Sequence, residues 1–309
     1  MGNFPIEEHQ LDYDWRFAEE TRVRLAGLAN PLGSVLLIGC PSLVPILGGR
    51  RRSGQLIERN PNYTSKDQSF KIAYADLRFE HPLLADAGRF SCAFVDPPWY
   101  PQELLHWVNF GLSQIERGGT VFFSLWPTSV RPTAQDEHRQ ILGAMSKVGR
   151  IEQIDTISYQ LPPFELASLQ TNGQSPLARK GMLFQLIKDG DQLLDVPEFQ
   201  KTATEWLRFT LSGEQLAVLV GPQESWNEHN QLFETDPFTL ADTSRRNVGL
   251  SGINIWTSGN RVARLFEPQK LATQILAKDE ASLVMLVEQM DMRFDPVEVE
   301  WGKSWRHPA

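Results

Sequence analysis

The sequence predicts an α/β fold in which a seven-stranded, mostly parallel sheet is followed by a smaller α+β region. Short apolar runs alternate with helical patterns over residues 1–190, which is typical of a sheet covered by helices on both faces. Runs such as "SVLLIG" are apolar throughout, as expected of strands buried on both sides. The chain has 309 residues, 41% of them hydrophobic, which is enough for one large domain and a smaller one.

The elements of the sheet follow from these patterns in chain order. The seven strands are predicted at "SVLLIG", "GQLIER", "FKIAYADL", "FSCAFVD", "TVFFSLW", "RIEQIDTISYQL" and "RKGMLFQLIKDG". A helix over "DYDWRFAEETRVRLAGLAN" is expected to end at Asn30-Pro31. A second helix over "PQELLHWVNFGLSQIERGG" is expected to close with Gly118-Gly119 as its cap, and a third covers "TAQDEHRQILGAMSKVG". Residues 160–179 are predicted as a long loop.

The division predicted for the chain is a first domain over residues 1–190 and an accessory α+β domain over 191–309. In the second, "DVPEFQKTATEWLRFTLSG" is predicted as a helix and "EQLAVLV" as a strand. A hairpin follows with Gly259-Asn260 in its turn, and then two helices, "PQKLATQILA" and "ASLVMLVEQM". The role of this region is open, and recruitment of a substrate or of a partner protein is the candidate.

The net charge, the cysteines and the apolar runs argue against three classes of protein: those that coat nucleic acid, disulfide scaffolds and membrane-spanning proteins. The net charge of −8 argues against a protein that coats nucleic acid through a basic surface. The two cysteines, Cys40 and Cys92, lie in or after apolar runs, which indicates reduced thiols rather than a disulfide scaffold. No run approaches the roughly 18 apolar residues of a membrane span. We therefore expect a soluble, cytoplasmic protein without a membrane partner.

Polar and glycine residues follow four successive strands of the predicted sheet. Parallel sheets bind ligands beyond the carboxyl ends of their strands, so these residues are expected to form one site. Glycine after the first strand allows close approach of a ligand, and an acid after the second suits ribose hydroxyls. The residues in question are Gly39, Cys40, Pro41 and Ser42 after the first strand, Glu58 after the second, Asp76 after the third, and Asp96 to Tyr100 after the fourth.

The stretch "FVDPPWY" forms an unusual end to the fourth strand. Two consecutive prolines fix the backbone twice, so Asp96 and the carbonyl of Pro97 are expected on a stiff, extended corner. Trp99 adds a flat ring beside this pair of acceptors. Such a corner could orient a planar or primary amine.

These motifs together resemble the class I S-adenosylmethionine-dependent methyltransferases that carry an (Asp/Asn)-Pro-Pro-aromatic motif, here Asp96-Pro97-Pro98-Trp99. Residues 1–190 look closest to the N6-adenine methyltransferase-like family, which includes lysine methyltransferases of an elongation factor. The opening segment "YDWRFAEETRVRLA" and the strand "VLLIGCPSL" with its Pro-Ser turn carry the rest of the likeness. The resemblance implies a Rossmann-like methyltransferase sheet.

The resemblance also implies a role for each residue of the expected site. S-adenosyl-L-methionine is the implied cofactor. Its methionine part would lie against Gly39 to Ser42, its ribose on Glu58, and its adenine by Asp76 and Leu77. Asp96, Pro97, Pro98 and Trp99 are the implied catalytic residues, and Tyr100 and Trp15 the implied substrate contacts.

The methyl acceptor is left open by the sequence. A sulfonium methyl group needs only an aligned nitrogen and exclusion of water, so no metal is required, and the six histidines show no ligand spacing. The first choice is adenine N6 in nucleic acid, because Trp99 offers a stacking face for a flipped base. The alternatives are a lysine or N-terminal amine on a protein, which an acidic enzyme would suit, and a scaffold that binds the cofactor without turnover. Aminopropyl transfer to polyamines is a more distant enzymatic variant of the same sheet.

Overall fold

The computed structural model describes residues 15–29, 33–50, 52–60, 63–84, 90–173, 179–199, 204–211, 214–221, 231–240, 252–277 and 279–292. These residues fall into two compact units. Of the described residues, 15–160 and 179–199 belong to the first unit, and the others belong to the second. None of the described helices has the length and apolar character needed to cross a membrane.

The described part of the first unit contains eight strands and four α-helices. In chain order they are β1 (Arg16–Phe17), α1 (Glu19–Leu28), β2 (Val35–Ile38), α2 (Val44–Gly49), β3 (Gly54–Glu58), β4 (Phe70–Tyr74), β5 (Phe90–Val95), α3 (Pro101–Gln114), β6 (Ile115–Leu125), α4 (Ala134–Met145), β7 (Gly149–Gln160) and β8 (Arg179–Lys188). A single 3₁₀ turn, Pro41–Leu43, precedes α2.

All eight strands form one sheet in the order β1-β7-β8-β6-β5-β2-β3-β4. Pairing is parallel from β6 to β4, while β8 runs antiparallel to both of its neighbours. The sheet is therefore a mostly parallel α/β sheet consistent with a Rossmann-like methyltransferase fold. The sequence predicted seven strands, and the eighth is the two-residue β1, which pairs antiparallel with β7.

Strand β2 shows why this sheet is buried on both faces. Leu36 and Ile38 belong to the core beneath α3 and α4, whereas Val35 and Leu37 belong to the core beneath α1 and α2. All four side chains are completely buried. A run of four apolar residues is thus divided between two hydrophobic layers by the alternation of side chains along a strand.

The predicted helix boundaries needed two corrections in the first unit. The opening helix begins at Glu19, so Trp15 lies before it, next to β1. The helix after the proline motif ends at Gln114, and the expected glycine cap at Gly118-Gly119 lies within the span of β6. Gly118 does have a positive φ of 80°, but in an irregular stretch between strand pairings rather than at a helix end.

Among its described residues, the second unit has a five-stranded antiparallel sheet and three helices. They are α5 (Pro163–Thr171), β9 (Glu205–Leu211), β10 (Glu214–Val220), β11 (Phe238–Thr239), β12 (Ile255–Thr257), β13 (Arg261–Ala263), α6 (Pro268–Leu276) and α7 (Glu280–Met290). The sheet order is β11-β13-β12-β10-β9. Strands β9, β10 and β12 share one apolar core with α6 and α7.

Two predictions for this unit were wrong, whereas the strand "EQLAVLV", the two helices after the hairpin and the hairpin itself are present. The segment predicted as a helix before "EQLAVLV" contains strand β9, and the loop predicted over residues 160–179 contains α5. The predicted hairpin is present as β12 and β13, with Asn260 in the left-handed conformation at φ 57°. Asparagine tolerates that conformation better than most residues, which suits it to the turn.

Candidate active site

The predicted site residues follow the carboxyl ends of neighbouring parallel strands. From β2 the chain continues to β3 and β4 on one side of the sheet, and returns to β5 and β6 on the other. The order of strands therefore reverses between β2 and β5, which is where open α/β sheets form their ligand crevice. Gly39 follows β2 and Asp96 follows β5, one on each side of this position.

Gly39 has a conformation and a packing that exclude a side chain. Its φ is 66°, in the left-handed region. A Cβ atom at this position would lie 2.5 Å from the ring of Trp107 and 2.9 Å from the carbonyl oxygen of Asp96. The main chain therefore turns tightly against the Asp96 corner, and glycine permits that approach.

Asp96 is fixed by hydrogen bonds from both its main chain and its side chain. Its amide donates to the carbonyl of Ile38 at 3.0 Å, which ties the corner to β2. Its Oδ1 accepts from Ser124 Oγ at 2.7 Å and from Tyr159 Oη at 2.6 Å. Burial raises the pKa of Asp96 to about 7, although these two hydrogen bonds oppose the rise.

Two acceptors at this corner have no partner within the described part of the chain. One is Asp96 Oδ2, because both side-chain hydrogen bonds go to Oδ1. The other is the carbonyl oxygen of Pro97, to which no described residue donates. Asp96 is half-buried and Pro97 is buried, so this pair of acceptors is largely withdrawn from water.

Three aromatic rings stand around the corner. Trp15 and Trp99 are stacked, with ring centroids 6.4 Å apart and planes within 15° of parallel. Tyr159 meets Trp99 edge-on at 5.6 Å and Trp15 edge-on at 5.9 Å. The predicted substrate contact Trp15 is thereby brought to the predicted catalytic corner. This aromatic cluster of Trp15, Trp99 and Tyr159 offers flat apolar surface beside a carboxylate.

Glu58 lies at the carboxyl end of β3 as predicted, and it is buried. Its Oε1 accepts a hydrogen bond from the amide of Asn60 at 2.8 Å. Burial raises the pKa of the Glu58 carboxyl above its usual value, while the charge of Arg16 opposes the rise. Nearby, Tyr63 Oη donates to the carbonyl of Pro41 at 3.1 Å and links the loop after β3 to the turn after β2.

Asp76, which the resemblance placed beside the adenine of the cofactor, already pairs with Arg78. Arg78 Nε donates to both of its carboxylate oxygens, at 2.9 and 3.0 Å. Burial raises the pKa of Asp76, but the Arg78 guanidinium outweighs burial and holds that pKa well below its usual range. An adenine amino group would share these oxygens with Arg78. The amide of Leu77, whose side chain is buried in the core, donates to no described residue.

The remaining predicted site residues are Cys40, Pro41 and Ser42, which follow β2, and Tyr100, which follows the proline motif. Cys40 is buried, and its Sγ donates to the carbonyls of Ile38 and Phe94 at 3.4 and 3.5 Å. Burial raises the pKa of this thiol well above its usual value. Pro41 and Ser42 begin the 3₁₀ turn, and Tyr100 precedes α3 with its amide 2.7 Å from the carbonyl of Pro98.

Sequence reasoning missed Ser124 and Tyr159, the two donors to Asp96. Ser124 is a hydroxyl inside the apolar run "VFFSLW", and Tyr159 is the next-to-last residue of the strand "DTISYQ". A polar side chain inside a strand buried on both faces was the available signal, because buried hydroxyls need partners. Nothing in the local pattern indicates which residue that partner is.

Comparisons with known proteins find only distant structural likeness. No family model matches the chain, and no curated protein matches it. Among solved structures, a branched-chain polyamine synthase from Thermus thermophilus, in complex with N4-aminopropylspermidine and 5′-methylthioadenosine, has a TM-score of 0.49 at 15% identity. That match covers 63% of this chain and 64% of the synthase, so the chain spans less than two thirds of its length.

Two further solved structures are methyltransferases. A 16S rRNA guanine-N2 methyltransferase of Thermus thermophilus, in complex with AdoMet and guanosine, has a TM-score of 0.35 at 11% identity, over 68% of this chain and 48% of that protein. An N-methyltransferase from Bradyrhizobium japonicum has a TM-score of 0.36 at 12% identity, over 55% of this chain and 96% of that protein.

Proposed function

We propose that this chain is an S-adenosylmethionine-dependent N-methyltransferase whose acceptor is an exocyclic amino group, with adenine N6 in nucleic acid as the first choice. The observation that carries the proposal is the pair of unpartnered acceptors, Asp96 Oδ2 and the Pro97 carbonyl oxygen. An aromatic –NH₂ group has two N–H bonds in one plane. Two fixed acceptors can therefore bind both hydrogens and orient the nitrogen lone pair.

The residues at the strand ends fit the cofactor on chemical grounds. Glu58 supplies a buried carboxylate at the end of β3, which suits the two ribose hydroxyls. The unpaired amide of Leu77 can donate to an adenine ring nitrogen. The tight turn at Gly39 would let the main chain approach the methionine part. When bound, the cofactor supplies an activated methyl group.

The protein's own contribution is orientation and electrostatics. Asp96 in its charged form accepts one N–H of the acceptor and favours the positive charge that develops on its nitrogen. Ser124 and Tyr159 hold the other carboxylate oxygen and fix the direction of the group. The aromatic cluster excludes water and provides a flat surface for a base.

Labelled cofactor incubated with separate pools of DNA, RNA and protein tests this proposal. We expect label in a nucleic-acid pool, with adenine N6 as the labelled position. Asp96→Ala should lower transfer on the order of 10²-fold, as loss of an electrostatic group in a dry site commonly does. Asp155→Asn is the matched control, because this exposed acid pairs with Arg24 outside the site. Label only in the protein pool would favour the lysine alternative, and cofactor binding without any labelled pool would favour a scaffold.

A further inference from the structure

Arg131 connects the segment after β6 to the proline corner after β5. Its Nη2 donates to the carbonyl oxygen of Trp99 at 2.9 Å. The Arg131 side chain is only 13% exposed. A largely buried arginine side chain that donates to the main chain of a site motif differs from the usual surface cation, whose charge points into water.

The guanidinium of Arg131 is itself held on several sides. Its Nε donates to both oxygens of Glu137, at 3.1 and 2.8 Å, and the Glu137 side chain is 5% exposed. Thr133 Oγ1 donates to the same carboxylate at 2.7 Å. The guanidinium also lies 4.4 Å from the ring centroid of Trp126. These contacts leave Arg131 little freedom to turn away from Trp99.

The proline corner is therefore anchored at both ends. At the start, the amide of Asp96 is bound to β2, and at the end the carbonyl of Trp99 is bound to Arg131. Between the two anchors lie two prolines, which have no amide hydrogen to donate. The direction of the Pro97 carbonyl and the position of the Trp99 ring thus depend on these two anchors.

We propose that Arg131 is a positioning residue for methyl transfer, acting through the carbonyl of Trp99 and supported by Glu137. The proposal deepens the proposed function and rests on it for its kinetic consequence. Arg131 itself does not contact the acceptor. It fixes the peptide between Trp99 and Tyr100, so that the acceptor pair and the aromatic cluster keep their mutual geometry. A guanidinium suits this task because its planar set of donors can bind a carboxylate and a carbonyl at once.

The kinetic test compares Arg131→Met, Arg131→Lys and Glu137→Gln with the wild-type protein. We expect Arg131→Met to lower kcat by about 10- to 100-fold, because small misplacements in a site have effects of this size. Cofactor Kd should stay within about twofold, since the cofactor residues lie on other strands. Arg131→Lys should recover part of kcat, because an ammonium can still donate to Trp99 but cannot bind both oxygens of Glu137 in the same way.

A matched control is Lys188→Met. Lys188 is also a buried cation that donates to main-chain carbonyls, those of Leu112 and Ile115, at 2.8 and 3.1 Å. It makes no contact with the proline corner. This variant should lose stability but keep kcat in its folded fraction. A purely structural role for Arg131 predicts the same behaviour for Arg131→Met.

A second readout does not depend on activity. In protein labelled with 5-fluorotryptophan, the ¹⁹F resonance of Trp99 is assigned by its loss in Trp99→Phe. We expect this resonance to shift or broaden in Arg131→Met and Glu137→Gln, and to be unchanged in Lys188→Met. An unchanged Trp99 resonance together with unchanged kcat in folded Arg131→Met would overturn the proposal. If that variant does not fold, the same criteria apply to Arg131→Lys and Glu137→Gln.

The two readouts separate this inference from the proposed function. A wild-type protein that labels no pool would remove the proposed function, yet the Trp99 resonance would still report whether Arg131 positions the corner. Conversely, an active wild-type protein with no response to Arg131→Met in either readout would leave the function standing and remove the positioning role.

Discussion

At the scale of single residues, Asp96 links pH to turnover. Only the carboxylate form can accept an N–H at Oδ2, and burial places the pKa of Asp96 at about 7. We expect kcat/KM for the acceptor to rise about tenfold per pH unit below 7 and to level off above it. Initial rates between pH 5.5 and 8.5 measure this. A profile that is flat across that range would contradict a carboxylate acceptor.

The same pKa predicts a stability cost at the site. An unfolded aspartate loses its proton near pH 4, whereas folded Asp96 keeps it until about 7, so the folded protein binds more protons in this window. The free energy of unfolding therefore falls as the pH rises from about 4 to about 7, by up to about 4 kcal/mol. We expect Asp96→Asn to raise Tm at pH 8 and to have little effect at pH 4. A difference in Tm that is constant with pH would argue against the raised pKa.

At the scale of elements, helix α3 is capped by a distant side chain. Lys188 on β8 places its ammonium on the carbonyls of Leu112 and Ile115, at the negative end of the helix dipole. Lys188→Met should lower the free energy of unfolding by on the order of 2 kcal/mol, a typical value for hydrogen bonds to a charged group. Urea titration followed by circular dichroism measures the loss. Unchanged stability would mean that water replaces the ammonium without cost.

The cap on α3 is a contact that the local sequence could not predict. The strands β2 to β8 were predictable because their apolar runs are local, and the order of acids and glycine at their ends was predictable from chain order. The end of α3 was not, because its cap comes from Lys188, more than 70 residues away. Strand β1 has only two residues and exists through its pairing with β7, so it carries no period of its own.

Strand β9 was wrongly predicted as a helix for a related reason. Its sequence "EWLRFTL" places apolar residues at spacings that suit either a helix or a strand. Pairing with β10 over its whole length decides between them. At the site, the sequence predicted Asp96 and Trp99, but the residues that orient them, Ser124, Tyr159 and Arg131, are known only once strands are side by side.

At the scale of the whole molecule, two separate cores predict separate sensitivity to mutation. Leu286 on α7 is completely buried in the core of the second unit. Leu286→Ala should destabilise that unit by about 2–5 kcal/mol. Hydrogen exchange should quicken over β9, β10 and α6, while cofactor affinity, measured by calorimetry, should be unchanged. Parallel loss of protection in β2 and β5 would show that the cores unfold as one.

The predicted domain boundary at residue 190 lies inside a segment of the first unit that continues to residue 199. Residues 161–173, including α5, group with the second unit although they lie between two strands of the first. The two units are thus not consecutive segments of the chain. We propose that the first domain consists of two segments, residues 15–160 and 179–199, and that removal of everything after residue 190 leaves part of the second unit attached.

The pairing of β1 with β7 can form only late in synthesis of the chain, because its two strands are far apart in sequence. Arg16 pairs with Gln160, 144 residues later, and this pairing brings Trp15 to the ring of Tyr159. During synthesis at about 5–20 residues per second, Gln160 is added roughly 7 to 30 s after Arg16. Throughout that interval Trp15 has neither strand β7 to pair beside nor the ring of Tyr159 to pack against. A nascent chain stalled before residue 160 would therefore hold the Asp96 corner without its stacked tryptophan pair.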